Sequence, residues 1–146
     1  MPAGYEYEID HRVIHGAAWD HVTLDDLEHY LSEAARLPDD LRGAIEYLDL
    51  SEVITLQVST VGALQLAPWY EALFDRGIRG SVIFAPDEEV HEIAETIIST
   101  CSMVSGGLPD GYCLTRQPVA PEEALQVLER KRGLRGERPA QVALAG

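Results

Sequence analysis

The histidines are the first candidates for chemistry, because His11 and His15 stand four residues apart. On one face of a helix, this spacing brings two imidazole rings together as zinc ligands. Here the two histidines lie beside a short polar segment between two β-prone runs. In a strand or turn this spacing does not bring the rings together, and the nearby sequence offers no third ligand. We therefore expect no metal site. The other histidines, His21, His29 and His91, fall near or on helix surfaces among acids, and we assign them no role.

The two cysteines do not have the spacing of a redox or zinc site. Cys101 and Cys113 are too few for a disulfide scaffold and form no CxxC pair, so we expect reduced, buried thiols. The sequence also lacks the GxGxxG, Walker, HExxH and GxSxG motifs of nucleotide, phosphate, zinc and acyl-transfer sites. No nucleophile, base and orienting partner can be assembled from it, so we expect neither an enzyme nor a cofactor.

Asp49 is the acidic residue best placed for a site. It comes at the end of the core run AIEYLDL, so we expect it at the carboxyl end of a strand, where open α/β sheets bind ligands. Receiver domains keep a phosphorylated aspartate in a similar place, but they also need an acidic pair and a lysine. Here Asp10 is a single acid, and the only lysine, Lys131, comes past the final predicted helix. We reject the receiver interpretation, and a cap or turn role for Asp49 stays open.

Hydrophobic periodicity predicts the elements that must position these residues. In chain order they are strands over 5–9 and 13–17, a helix over 24–37 after Thr23, a strand over 43–50, a helix over 56–74, the strand SVIFAP, a helix from Pro86, the strand YCLT and a helix from Ala120. Thr23 precedes the first helix as its N-cap, Ser59 or Thr60 can cap the second helix, and Pro68 is expected to kink the second helix.

This order, ββαβαβαβα, predicts an α/β fold. We expect a mixed, mostly parallel β-sheet with an N-terminal hairpin and about four packing helices. Residues 1–131 form a single domain in this interpretation, and residues 132–146 form a flexible C-terminal tail with Gly, Pro and Arg and no helical apolar stripe.

The charge balance restricts the partners. The formal net charge is -14, and almost all acids lie before residue 129, whereas residues 129–146 hold more basic than acidic side chains. An acidic body repels phosphate backbones and anionic lipid, so we expect protein or small-molecule partners, no nucleic acid and no membrane. Without a targeting or spanning segment, a cytoplasmic location is expected.

The segment DLSEVITLQVSTVGALQL, residues 49–66, resembles the anti-anti-sigma factor (STAS) domain, the sporulation stage II AA-like fold. That family's pattern reads D-L-S-x-V-x-x-x-D-S-S-G-L, and Asp49, Leu50, Ser51 and Val53 match it, with Val61 in place of the final leucine. The order of elements over about residues 5–130 also agrees. The resemblance is to a divergent bacterial branch of small stand-alone domains.

The family's phosphorylated centre differs in this chain. Its D-S-S-G falls on Gln57, Val58, Ser59 and Thr60, and the first serine of that pattern, the phosphorylated one, is replaced by Val58. The resemblance therefore implies a non-catalytic regulatory interaction domain without the usual phosphoserine switch, although Ser59 or Thr60 could substitute if the register shifts. The expected partner is a protein, of a sigma-regulating or kinase-like type. The candidate partner-binding or switch loop consists of Asp49, Gln57, Val58, Ser59, Thr60 and Gly62.

Two alternatives remain open. Trp69 and Tyr70 are candidates for the same surface or for a homodimer contact, because aromatic anchors carry much interface energy, although core packing is the other interpretation. The fold could instead bind a small molecule or lipid, with Cys101, Met103 and a lid formed by SGGLPDG around a pocket under the third helix.

Overall fold

The computed structural model describes residues 2–104 and 111–133. Within these residues the order of elements is ββαβαβαβα, which confirms the predicted order. The elements are β1 (Ala3–Glu8), β2 (Val13–Thr23), α1 (Leu24–Ala35), β3 (Ile45–Gln57), α2 (Thr60–Asp75), β4 (Gly80–Phe84), α3 (Glu88–Val104), β5 (Tyr112–Thr115) and α4 (Ala124–Arg132). A short 3-10 turn, Pro121–Glu123, comes directly before α4.

The strands form one mixed sheet in the order β1-β2-β3-β4-β5. β1 and β2 are an antiparallel hairpin in which Glu8 pairs with Val13, and the other neighbours are parallel. Each parallel connection passes through a helix, because parallel strands need a crossover. The predicted α/β class, with its N-terminal hairpin, is confirmed.

Helices lie on both faces of the sheet. α1, α2 and α3 cover one face, where Ile14, Leu48 and Ile83 are buried with them in the larger core cluster. α4 covers part of the opposite face, where Leu128 packs in a smaller cluster with Val82. Burial of each large apolar side chain contributes about 1.5–3 kcal/mol, so the larger cluster on the three-helix face supplies most of the hydrophobic stabilisation.

β2 and β3 are longer than the sequence predicts. Their pairing continues to Thr23 and Gln57, past the level of Phe84, where β4 ends. Two register shifts in this pairing each place an extra residue on β3. The buried side chains of β3 therefore recur at intervals of three, at Leu50, Val53 and Leu56, instead of alternating. The predicted second helix started too early, at Leu56, which still belongs to β3.

The helix starts follow from capping. Thr23 caps α1 in a capping box, because its backbone N–H donates to Asp26 Oδ2 at 2.9 Å and its Oγ1 accepts from Asp26 N at 3.4 Å. α2 begins at Thr60, with Ser59 as its N-cap. Pro68 lies inside α2, and the helix continues through it without dividing into two.

Some predictions fall beyond the part of the chain that the structure describes. They are the lid SGGLPDG, apart from Gly111, and the tail 132–146, apart from residues 132–133. Lys131 was placed past the last helix, but it lies within α4, because that helix extends to Arg132. Of the helices in residues 2–104 and 111–133, none has the length and apolar character needed to cross a bilayer.

Candidate interaction surface

Asp49 is not at the end of its strand, so that prediction was wrong. It lies in the middle of β3, paired with Ala17 of β2 and Phe84 of β4, because β3 continues for eight residues beyond it. Its Oδ1 accepts a hydrogen bond of 2.8 Å from Ser51 N on its own strand. At about 3.3 Å per residue, roughly 26 Å of strand path separates it from Gln57. Asp49 therefore lies apart from the other residues of the candidate loop.

The remaining loop residues lie together where β3 meets α2. Gln57 ends β3, and Val58 is half-buried against the core. Ser59 Oγ accepts a hydrogen bond of 3.0 Å from Gly62 N, and Ser59 O accepts one of 2.8 Å from Ala63 N. The Ser59 hydroxyl thus satisfies one of the backbone donors left unpaired at a helix start, which confirms the capping prediction.

Gly62 lies where the start of α2 packs closely against the start of α1. A Cβ atom at this position would lie 3.2 Å from Leu24 Cδ2 and 3.2 Å from Ser59 Oγ, closer than most side-chain contacts. Only a residue without a side chain leaves both the cap and the neighbouring helix undisturbed. The first turn of α1, with its exposed Asp25, therefore lies beside the first turn of α2.

The end of β3 and most of α2 belong to one uncharged segment. Residues 53–70 contain no Asp, Glu, Lys or Arg, in a chain with 25 acidic residues. α1 and α3 begin with acids in their first turns, whereas α2 has none. Val61 is 70% exposed, Leu64 is 46% exposed, and Pro68 is also exposed. These three residues share one helix face by their spacing, and we call them the α2 apolar stripe.

The apolar periodicity of this segment does not show which of its residues face the sheet. The buried face of α2 consists of Ala63, Leu66, Ala67, Tyr70 and Leu73, and Val61 and Leu64 lie outside it. A nearly all-apolar helix has no polar face by which periodicity can orient it. The run of uncharged residues was the signal that could have identified the exposed stripe.

The two candidate aromatic anchors have different environments. Tyr70 is buried, so it is not part of an exposed surface. Trp69 is partly buried, and the Arg36 guanidinium lies 5.7 Å from the centre of its ring. An interaction of this kind between a cation and an aromatic ring occupies one face of the indole. Trp69 therefore lies near the surface, and one face of its ring contacts Arg36 at the C-cap of α1.

Glu46 lies at the centre of a buried polar cluster that no sequence motif indicates. Its side chain is fully buried, the Tyr30 hydroxyl donates to its Oε2 at 2.5 Å, and the Ser81 hydroxyl donates to its Oε1. Burial raises the pKa of Glu46, and hydrogen bonds from Ser81, Tyr30 and Tyr70 oppose that shift without cancelling it. A single glutamate in the sequence of a strand is expected to face solvent. The partners of Glu46 come from α1, α2 and β4, so they are defined only when the sheet and its helices pack together.

A cavity lies between the sheet and the three-helix layer. Its lining is almost entirely apolar, with Leu31, Leu50, Leu66 and Ile97 among its walls, and the centre of a water-sized sphere can occupy about 20 Å³ of it. That space holds one water-sized molecule, far below the few hundred Å³ of drug-sized ligand pockets.

The residues expected to line a ligand pocket do not meet in this cavity. Cys101 is buried elsewhere, where its Sγ donates to Ala63 O at 3.8 Å, and Met103 is 83% exposed. Burial raises the pKa of the Cys101 thiol to about 11. The thiol is therefore protonated at neutral pH, and only the thiolate is an effective nucleophile.

His11 and His15 each contact a different residue, so their rings do not form a common site. His11 Nδ1 is 2.6 Å from Glu8 Oε1, and this hydrogen bond raises the pKa of His11. The His15 ring packs against Tyr47, with 5.2 Å between the ring centroids. Among residues 2–104 and 111–133, no three His, Cys, Asp or Glu side chains are grouped so that they could hold a metal ion.

Comparisons with known proteins identify no relative of this chain: no family model, no curated protein and no solved structure matches it.

Proposed function

We propose that this chain is a non-catalytic regulatory domain that binds a protein partner through the start of α2. The observation that carries the proposal is the α2 apolar stripe, Val61, Leu64 and Pro68, exposed within the uncharged segment 53–70. Exposed apolar surface costs free energy in water, and its burial is the main driving force of protein association. This is the kind of function that the STAS resemblance implies.

The charge around the stripe defines the chemistry of the partner. Asp25 of α1 lies beside the first turn of α2, and Glu71 and Asp75 are exposed at the other end of the helix. The chain as a whole carries a net charge of -14. We therefore infer a partner with an apolar patch bordered by Lys or Arg, and a sigma-regulating or kinase-like protein is the class that the resemblance implies.

The proposed binding does not use a phosphoserine. Val58, at the position that matches the family's phosphorylated serine, has no hydroxyl and is half-buried. The Ser59 hydroxyl is occupied as the acceptor for Gly62 N. Regulation would then depend on the amount or the state of the partner instead of on modification of this loop.

The test compares two charged variants of the stripe with a matched control. Val61→Asp and Leu64→Asp place a carboxylate in the proposed contact, whereas Ile9→Asp changes a residue that is 69% exposed in the turn between β1 and β2. Partners are captured from cells with each protein, identified by mass spectrometry, purified and titrated. Circular dichroism checks that all variants are folded.

We expect one basic partner to bind the wild type and Ile9→Asp equally. Its Kd for both stripe variants should be at least about tenfold higher, which is a loss of about 1.4 kcal/mol of binding free energy. Its affinity for the wild type should fall as the salt concentration increases. Equal binding by all four proteins, or capture of no partner, contradicts the proposal. A shift from dimer to monomer in the stripe variants would instead assign the stripe to a second copy of this chain.

A further inference from the structure

The position of Glu46 in the sheet is unusual for an acidic residue. Of the Asp, Glu, Lys and Arg side chains that the structure describes, it is the only one that is buried. It pairs with Ile14 of β2 and Ser81 of β4, so it lies in the interior of the sheet and faces the three-helix layer. Burial of an ionised carboxylate costs several kcal/mol unless a cation or enough hydrogen-bond donors compensate.

Among residues 2–104 and 111–133, the groups that face Glu46 come from several elements, and none of them is a cation. Tyr30 of α1 and Tyr70 of α2 act on it directly, together with Ser81 of β4. The titratable groups that in turn act on those tyrosines are Tyr5 of β1, Cys101 of α3 and Tyr112 of β5. All are neutral or anionic, and no ion pair among the described residues includes Glu46.

The same hydrogen bonds connect the helix layer to the sheet. Tyr30 belongs to α1 and Tyr70 to α2, both are buried, and each forms a hydrogen bond with the carboxyl group. α4 lies on the opposite face and packs with Val82 and Cys113, so it has no part in this cluster. A change of charge at Glu46 therefore acts most directly on α1 and α2, whose side chains contact its carboxyl group.

We propose that Glu46 is a proton-binding site through which pH controls how tightly α1 and α2 pack on the sheet. With the proton bound, the cluster is neutral, and the carboxyl O–H can donate to one neighbouring hydroxyl oxygen while the carbonyl oxygen accepts from another hydroxyl. When the proton leaves, an anion remains in the core with no cation of the described residues to pair with it, and opening of the helix layer lets water reach it. The inference is independent of the proposed partner, and it predicts a looser helix layer at higher pH.

Hydrogen exchange measured by mass spectrometry tests the inference on the full chain. Wild type and Glu46→Gln are compared at a series of pH values from about pH 5 to about pH 9, all above the ordinary glutamate pKa of about 4.3. Exchange rates are corrected for the intrinsic effect of pH. Peptides from α4 serve as the internal control, because that helix lies on the other face.

In the wild type, the corrected exchange of α1 and α2 should increase about tenfold across this range, whereas α4 should not change. In Glu46→Gln, which cannot ionise, α1 and α2 should show no such increase. The same increase in both proteins, or an equal increase in α4, overturns the inference.

Tyr30→Phe provides a second test if Glu46→Gln does not fold. This variant removes a hydrogen bond that lowers the pKa of Glu46, so the onset of loosening should move to higher pH. A carboxyl-carbon NMR titration of Glu46 in the wild type and Tyr30→Phe should show the same shift. An unchanged onset in both measurements overturns the inference.

Discussion

Gly16 shows how one residue without a side chain permits the buried cluster. A Cβ atom at this position would lie 2.2 Å from the Tyr30 hydroxyl and 2.6 Å from the adjacent ring carbon. Tyr30 therefore reaches Glu46 only because β2 carries a glycine beneath it. The close approach, and not a turn conformation, requires glycine here.

Gly16→Ala should lower the free energy of unfolding by about 3 kcal/mol, because the methyl group displaces a buried ring that cannot move without losing its hydrogen bond. Urea denaturation measures this change. Gly4→Ala is the matched control, since a Cβ at Gly4 meets only Trp19 Cη2 at 3.9 Å, an ordinary contact. Equal stability of the two variants would contradict the assigned role of Gly16.

Glu46 should also make stability depend on pH. Its pKa is raised in the folded protein, so the folded state binds the proton more tightly than the unfolded state does. The resulting stability is fully present below the ordinary glutamate pKa of about 4.3, and it is lost as pH rises through the folded value.

Urea denaturation at a series of pH values can test this effect. The free energy of unfolding of wild type, relative to Glu46→Gln, should decrease as pH rises above about 4.3. Glu71→Gln, on the exposed surface of α2, should show no such relative decrease. A constant difference between wild type and Glu46→Gln would contradict the predicted direction.

At the scale of the elements, the N-terminus of α2 is stabilised by a single side chain, that of Ser59. Ser59 caps it, and its first turn contains no acid that would interact favourably with the helix dipole. Ser59→Ala should therefore reduce the free energy of unfolding by about 1 kcal/mol.

Thr60→Ala is the control, since Thr60 is exposed and the N-cap hydrogen bond belongs to Ser59. Its stability should stay within about 0.5 kcal/mol of wild type in thermal and urea denaturation. An equal loss in the two variants would mean that the hydroxyl of Ser59 is not the source of the capping energy.

The elements also show where sequence patterns were sufficient. The YCLT strand and the Thr23 cap agree with the structure, because each follows from residues close in the chain. The predicted strand over 43–50 ended too early, because two bulges in β3 change the spacing of its buried residues from two to three. Bulges depend on pairing with β2, and no local pattern in β3 reveals them.

For the whole molecule, net charge is the dominant electrostatic property. With a net charge of -14, the acidic residues repel one another more strongly in the compact folded chain than in the expanded one. Salt should therefore raise the melting temperature at neutral pH, because going from about 0.1 M to about 1 M shortens the screening length from about 10 Å to about 3 Å.

Calorimetry at two pH values separates this effect from general salt effects. Near the sequence pI of about 4.5, the net charge is small and the same salt increase should change the melting temperature much less. An equal shift at both pH values would show that charge repulsion is not the cause.

The sequence by itself determined the α/β class, the order of the elements, the N-terminal hairpin and the cap of the first helix, because these depend on periodicity and on nearby residues. Only the tertiary structure placed Asp49 within a strand, exposed Val61 and Leu64, and brought Tyr30 and Ser81 to Glu46. Burial and hydrogen-bond partners arise between residues far apart in the chain. They become defined only when the strands pair and the helices pack on the sheet.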